Sequence, residues 1–530
     1  MTKHLFFRDE ARRHLKTGLD TVGQAVAVTL GPKGRNVALD QGMGAPTITH
    51  DGATVAQEIA LGNRYENMGV QLLRAAAAKT NTIAGDGTTT ATVLAQALVT
   101  KGVKNIAAGA DPILLKRGLK KAAAAVASAI EAQAMRIGTK AELANVATIA
   151  AQSREIGEMI AEVLDKVGPN GAVTIEEGPS MLTETEYRAG MQFDQGYLSP
   201  LFITHLESME TILEEPYVLL CGQSITAASD LVPLLEKLAR LSHRQLIVIA
   251  NDVSGEALAT LVLNKLQGTF TLVAVKALGF GDQRQAMLHD IAILTGGTVI
   301  SEETGRRLES ATLADLGCCD RLVVTKEQTT LIGGHGDETA LKKRICQIKA
   351  ELAAAGDYKK ERHRERLAKL TGGIAVIKVG AATEAERQEK KQRIEDALGA
   401  SRAAVEEGIV PGGGVALLNT VWALDRVIAQ DPDEATGVNI VRRSLEEPMR
   451  VLARNAGLDG ALIVARVRRR QEADKNCRIG YNVMTDQYED MMAAGIIDPA
   501  KVIRSALESA VSIAAMILTV EVLVTGNVKG

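Results

Sequence analysis

Residues 246–276 read LIVIANDVSGEALATLVLNKLQGTFTLVAVK, and they decide how the rest of the chain is organised. Leu246-Ile-Val-Ile-Ala250 is a short β-branched run closed by a polar turn, residues 255–266 carry leucine and valine at helical spacing, and Thr271-Leu-Val-Ala-Val-Lys276 is a second apolar run. Strand, helix and strand in that order predict a parallel βαβ unit. Short Val/Ile-rich runs alternate with short helices from about 191 to 379, so the middle of the chain is predicted to be α/β.

Both ends have another texture. Residues 11–134 are Ala-rich and helical in pattern, notably at 66–80, 88–101 and 112–134, and the pattern returns from 402 onward at 438–456 and 500–516. At 530 residues the chain exceeds what one core organises. Two helical ends around an α/β middle predict an inserted domain entered through paired connections, with Gly190 and Gly372-Gly373 as hinges. The dense charges of 342–369, with apolar residues at helical spacing, predict a solvated helical pair.

Composition narrows the function. Lys plus Arg (61) nearly balances Asp plus Glu (64), the net charge is −3, and aromatic residues make up 3%. Nucleic acid is therefore not an expected partner, for want of a positive field and of stacking rings. Five cysteines without CxxC or Cys/His metal spacing argue against a disulfide framework and a zinc site, and fit a reducing compartment. The N-terminus lacks the apolar stretch of a signal peptide. The longest apolar run, 511–524, is interrupted by Ser512, Thr519 and Glu521; it is too short for a bilayer, so no membrane partner is expected and a buried helix or strand is.

The chemical leads are turns. Gly85-Asp86-Gly87-Thr88-Thr89-Thr90 precedes a helical run. Glycines let backbone approach a phosphate, amides at a helix start donate to its oxygens, and an aspartate there holds the accompanying Mg²⁺. An Asp/Thr helix cap after a glycine turn is the plainer alternative. Thr29-Leu-Gly-Pro-Lys-Gly-Arg35, His50-Asp51-Gly52 and Gly412-Gly413-Gly414 are further turns suited to a phosphate or to a bare surface loop. Asp396, in Arg393-Ile-Glu-Asp-Ala-Leu398, reads by itself as a solvated helix residue. Gly279-Phe-Gly-Asp282 lacks the third glycine of a dinucleotide loop, and no G-x-x-x-x-G-K-S/T motif occurs. In the middle, Leu231, Leu234, Leu235, Leu238 and Leu241, widened by Val232, and Leu258, Leu261, Val262, Leu263 and Leu266 make stripes broader than one core face needs. They predict either ordinary core or an exposed groove for apolar chains.

The strings Thr29-Leu-Gly-Pro-Lys-Gly-Arg-Asn36, Gly44-Ala-Pro-Thr-Ile-Thr49, Ala84-Gly-Asp-Gly-Thr-Thr-Thr-Ala-Thr-Val-Leu94, Met191-Gln-Phe-Asp194 and Gly196-Tyr-Leu-Ser-Pro200, with 393–398 and 410–417, resemble group I chaperonins of the GroEL type along nearly the whole chain. The resemblance implies a multidomain α and α/β fold. Its parts are a helical equatorial ATPase domain from both chain ends (1–132 and 407–530), a small intermediate hinge domain (133–188 and 375–406) and an inserted α/β apical domain (189–374). It implies an ATP site of Thr29, Leu30, Gly31, Pro32, His50, Asp86, Gly87, Thr88, Thr89, Thr90, Gly413, Asn482, Val483, Met484 and Asp498. Asp86 would hold Mg²⁺, and the backbone around Thr29, His50 and Thr89 would hold K⁺. Asp396 would be the catalytic aspartate and Asp51 a second acid organising the attacking water. Tyr197, Leu201, Phe202, Val232, Leu235, Leu258, Val262, Leu263 and Asn264 match positions that bind clients and co-chaperonin. The implied partners are the chain itself in two stacked heptameric rings, a GroES-type co-chaperonin and unfolded proteins. The implied location is the bacterial cytoplasm, with a mature organellar form as the alternative.

Several positions depart from that pattern. Leu201 replaces an aromatic residue; Gln195 replaces an arginine that pairs with an acid on the neighbouring subunit, here Glu384; and His50 replaces a lysine. Val483 and Met484 stand where two alanines are common, 468–476 is enlarged, and 525–530 lacks a Gly/Met-rich tail. A divergent relative acting as a binding or scaffold protein, and a small-substrate ATP-dependent enzyme, are the competing readings.

Overall fold

In the computed structural model the apolar runs at 246–250 and 271–276 lie in strands Gln245–Val253 and Thr271–Lys276, joined by helix Gly255–Leu266. The strands are parallel, with Thr271 opposite Gln245 and Lys276 opposite Ala250. The structure describes residues 3–40, 46–168, 171–178, 180–206, 208–241, 244–301, 305–354 and 357–526. Residues 44–45 of the second motif, 355–356 of the charged stretch and 527–530 at the end lie outside the described residues. The chain divides into two compact units, Met1–Glu162 with Ala381–Gly530, and Val163–Gly380.

In the unit Val163–Gly380, strands Thr271–Lys276, Gln245–Val253, Tyr217–Ile225, Gly317–Val324, Thr329–Gly334 and Gly190–Phe193 lie side by side in that order. The first three are parallel and the remainder pair antiparallel. Leu246 to Ala250 and Leu272 to Val275 are fully buried, as expected of parallel strands covered on both faces. A smaller sheet pairs Ile374–Val379 in parallel with Ala172–Glu177 and antiparallel with Glu184–Arg188. Gly190 belongs to a strand: a Cβ there would lie 2.3 Å from Ile374 Cδ1 and 2.4 Å from the Leu331 carbonyl oxygen, so close packing demands glycine. Gly373 turns the chain with φ of +62°. The charged stretch forms helices Glu338–Ala354 and Asp357–Thr371, but it is not merely solvated. Ile348 is buried, and Arg344 (2.8 Å) and Arg366 (2.7 and 3.0 Å) both donate to the buried Asp290 carboxylate. The two guanidinium groups supply the hydrogen bonds that a buried carboxyl group needs.

The other unit is built on long helices. Ala500–Leu518, buried along most of its length, packs against Arg64–Ala84, Thr88–Ala107 and Pro112–Gln133, and Arg8–Ala27 packs against Arg64–Ala84 and Thr88–Ala107. Helix starts follow their capping residues. Asp111 accepts from Ile113 N (2.7 Å) and Leu114 N (3.0 Å) ahead of Pro112, and Thr139 makes a reciprocal capping box with Glu142. The run expected as one helix over 438–456 is two, Pro432–Ser444 and Glu447–Asn455, because Pro448 has no N–H to continue the ladder and suits a first turn. The apolar run 511–524 divides between the end of helix Ala500–Leu518 and strand Val522–Gly526. That strand pairs antiparallel with Lys3–Phe7, tying both ends of the chain together. Among the described residues no helix is long and apolar enough to cross a membrane.

Candidate active site

The glycine turn at 85–87 does not end in a side-chain cap. Gly85 (φ +69°) closes helix Arg64–Ala84, and Gly87 (φ +86°) opens helix Thr88–Ala107 with no side chain bonded to its first amides. The Asp86 carboxylate accepts instead from Gly87 N. The first turn of that helix, Thr88 to Thr90, therefore faces a cavity of about 580 Å³ with its donors uncommitted to a cap.

The same cavity gathers nearly every nucleotide position expected from the sequence. Thr29, Leu30, Gly31 and Pro32 form one wall; His50 and Asp51 lie beside Asp86 to Thr90; and Gly413, Asn482, Val483, Met484 and Asp498 line it from the C-terminal segment. Asp396 reaches it from helix Glu384–Glu407. Asp51 caps helix Gly52–Glu58, accepting from Ala53 N (3.1 Å), Thr54 N (2.7 Å) and Thr54 Oγ1 (2.7 Å), so its carboxylate is fixed in direction. Asp498 sits on a short ladder opposite Val410, directly before the glycine triplet. Gly413 and Gly414 there have φ of +66° and +81°, which only glycine adopts at little cost. Asn482 bonds Met484 N (2.9 Å) and Glu489 (2.7 Å), closing a tight turn at the rim, where Met484 is exposed. His50 Nδ1 stands 3.6 Å from Glu389, too far for a hydrogen bond.

Four carboxylates thus share one buried space. Burial pushes Asp86 up to about 6, with the charge of Asp51 adding to it, and pushes Asp498 up to about 7, with Asp86 adding. Asp396 is held well above the usual carboxylate range, first by burial and then by the charges of Asp86 and Asp51. Burial, followed by the charge of Arg393, lowers His50. Acids that resist ionising together invite a cation. Among the described residues no group of three or more His, Cys, Asp or Glu makes a metal cage alone. Mg²⁺ needs none, since it keeps waters and takes one or two carboxylates plus phosphate oxygens. The residues present fit Mg²⁺ bound with a phosphate ligand.

Sequence reasoning missed other parts of this cavity, among them the 146–154 segment including Arg154, the wall of Pro448 and Leu452, and Ile496, Ile497 and Pro499 beside the expected Asp498. None carries a local signal, because each is apolar or ordinary helix sequence brought in by tertiary packing.

In the other unit, helix Gly255–Leu266 packs against turn Pro200–Phe202 and turn Ala228–Asp230, which leads into helix Val232–Ala239. Lys265 Nζ ties it to the Ile203 carbonyl (2.8 Å). Leu201 (51%), Val232 (38%) and Leu263 (55%) are exposed, and Tyr197, Leu258, Val262 and Asn264 are half-buried. Phe202 and Leu235 are buried in the core beneath, so the apolar surface is narrower than the full set of nine positions. Glu384, in the first unit, bonds within its own helix to Arg387 (3.0 Å) and Gln388 (3.0 Å).

The family described as TCP-1/cpn60 chaperonin matches residues 22–527. Among solved structures, the chaperonin gp146 from the bacteriophage EL 2 (Pseudomonas aeruginosa), crystallised in the presence of ATP-BeFx, matches with a TM-score of 0.72 and 22% sequence identity. The match covers 99% of this chain and 99% of that one, and at this identity it speaks for the fold.

Proposed function

Because this chain belongs to the TCP-1/cpn60 chaperonin family, we propose that it is an ATP-hydrolysing chaperone that captures unfolded proteins on an apolar surface and releases them to fold within a ring. The observation that carries the ATPase part is the single cavity in which an uncapped helix start, two glycine turns and four aspartates converge. Amides of Thr88 to Thr90 would bind phosphate oxygens, with the loop Thr29 to Pro32 on the opposite side. Asp86 would hold Mg²⁺, and the backbone near Thr29, His50 and Thr89 would take K⁺. When bound, Mg²⁺ neutralises phosphate charge. Asp396 orients the attacking water and receives its proton, a role favoured by its raised proton affinity, while Asp51, fixed by its capping bonds, aligns the same water.

The domain plan of this reading is equatorial (1–132, 407–530), intermediate (133–188, 375–406) and apical (189–374), with stacked heptameric rings, a GroES-type co-chaperonin and a cytoplasmic setting. Leu201, Val232 and Leu263 are the apical side chains offered to a client, supported by the half-buried Tyr197, Leu258 and Val262. Such a surface recognises exposed apolar chain without regard to sequence.

The test is refolding of a chemically denatured enzyme with the purified chain, ATP and a co-chaperonin. Recovery severalfold above the ATP-free reaction is expected; equal recovery with and without ATP overturns the chaperone cycle and favours a binding or scaffold role. The double substitution Val232→Ser and Leu263→Ser removes about 1 kcal/mol of client burial per site. It should therefore weaken capture of a denatured client about thirtyfold, read by co-sedimentation, with ATPase activity preserved.

A further inference from the structure

The loop that carries Thr29 to Pro32 keeps its shape through its own backbone. Gly34 N donates to the Gly31 carbonyl (2.8 Å), Arg35 N to the Val28 carbonyl (2.8 Å), and Thr29 Oγ1 to the Val26 carbonyl (2.9 Å). These bonds fix its conformation but not its position. Position comes from helix Glu447–Asn455, which meets the cavity walls at residues one turn apart. A Cβ on Gly414 would lie 3.0 Å from Met449 N, and a Cβ on Gly31 (φ +82°) would lie 2.1 Å from Leu452 Cδ2. One turn further, Asn455 Nδ2 donates both to the Ala27 carbonyl (3.0 Å) and to the Leu30 carbonyl (2.9 Å). Among the described residues no backbone N–H reaches the Leu30 carbonyl.

Asn455 itself does not line the nucleotide cavity. It borders a separate cavity of about 480 Å³ together with Lys101, Glu447 and Arg454. We propose that Asn455 is a positioning residue of the nucleotide site, whose amide spans the end of helix Arg8–Ala27 and the following loop and so sets how closely Thr29 to Pro32 stand to bound nucleotide. The role is specific to the side-chain type. One NH₂ group satisfies two carbonyls, whereas aspartate would set an acceptor against two acceptors and leucine of similar size would donate nothing. The inference rests on the ATP-site reading. Asp396 and Asp51 lie on other elements, so the chemical step of bound ATP should be spared.

The experiment measures Mg-ATP affinity, KM, kcat and melting temperature for the full chain and for Asn455→Leu, Asn455→Asp and Asn455→Gln. Loss of two neutral hydrogen bonds should raise Kd and KM about tenfold for Asn455→Leu and more for Asn455→Asp, with kcat within about twofold and partial recovery in Asn455→Gln. Unchanged Kd and KM in the folded variants, or a fall confined to kcat, overturns the assignment. A role in folding alone would lower the melting temperature without changing the affinity of the folded protein. Should Asn455→Leu fail to fold, Asn455→Ser, which keeps one donor on a shorter arm, carries the same test, with a severalfold rise expected. A parent chain that binds no ATP fails the nucleotide reading itself, an outcome separate from a parent that binds and variants that bind equally well.

Discussion

Alanine at Asp396 is expected to slow ATP hydrolysis at least about a hundredfold while leaving ATP affinity within a few-fold of the parent. The carboxyl lines the cavity half-buried, and its hydrogen bond comes from Gln392 of its own helix at 3.2 Å. The substitution therefore severs no link between elements. It also removes a carboxyl whose own ionisation the charges of Asp86 and Asp51 oppose, so the cavity loses repulsion rather than support. On the proposed reading phosphate contacts come from the helix start at Thr88 and the loop at Thr29, on other parts of the chain, which is why binding and turnover should separate. Single-turnover hydrolysis beside titration with a non-hydrolysable analogue reads both. Turnover equal to the parent's would remove Asp396 from the chemistry.

Valine at Gly399 should reduce hydrolysis comparably by a different route and lower stability by about 1–3 kcal/mol through overpacking. Gly399 and Gly85 meet backbone to backbone. A Cβ on Gly399 would lie 2.8 Å from the Gly85 carbonyl oxygen and 2.9 Å from its Cα, and a Cβ on Gly85 would lie 2.7 Å from Gly399 Cα. Asp396 precedes one of these glycines by a helical turn, and Asp86 follows the other directly. The pair thus sets the separation of the two acids, and any side chain at the crossing pushes the Asp396 helix off the phosphate turn. Gly399→Ala should show a smaller loss in the same direction. A Gly399→Val chain with parental ATPase activity and parental melting temperature would show that the crossing tolerates a wider gap.

Local pattern carried most of the architecture. The βαβ order at 245–276 was legible because strand and helix periods differ over so short a span, and the helix at 112–134 because its apolar residues keep one period over several turns. Asp396 was not legible from its own surroundings. Its helix looks solvated in sequence, and the packing of that helix on Lys140–Ala151 and Ala500–Leu518, with Gly399 close on Gly85, covers it. The turn at Gly85 to Thr90 left a cap and a phosphate cradle both open, and the missing side-chain cap on Thr88–Ala107 is a fact of geometry that composition cannot give. The width of the apolar surface at 197–264 was overread for a related reason. The resemblance placed Phe202 and Leu235 on that surface, whereas both are buried; neither a motif match nor helical spacing says which apolar side chain packs inward.

The ribbon between Lys3–Phe7 and Val522–Gly526 has a consequence for biosynthesis. Strand Lys3–Phe7 has no partner until Val522–Gly526 has been made, and the helical unit waits likewise for Ala500–Leu518, which is buried along most of its length. Val163–Gly380 is contiguous and can close its sheet while the remainder is still being made. The helices Arg8–Ala27, Arg64–Ala84 and Thr88–Ala107 can pack on one another early, but the faces that Ala500–Leu518 covers stay open until that helix is made, so completion of the helical unit comes after closure of the contiguous one.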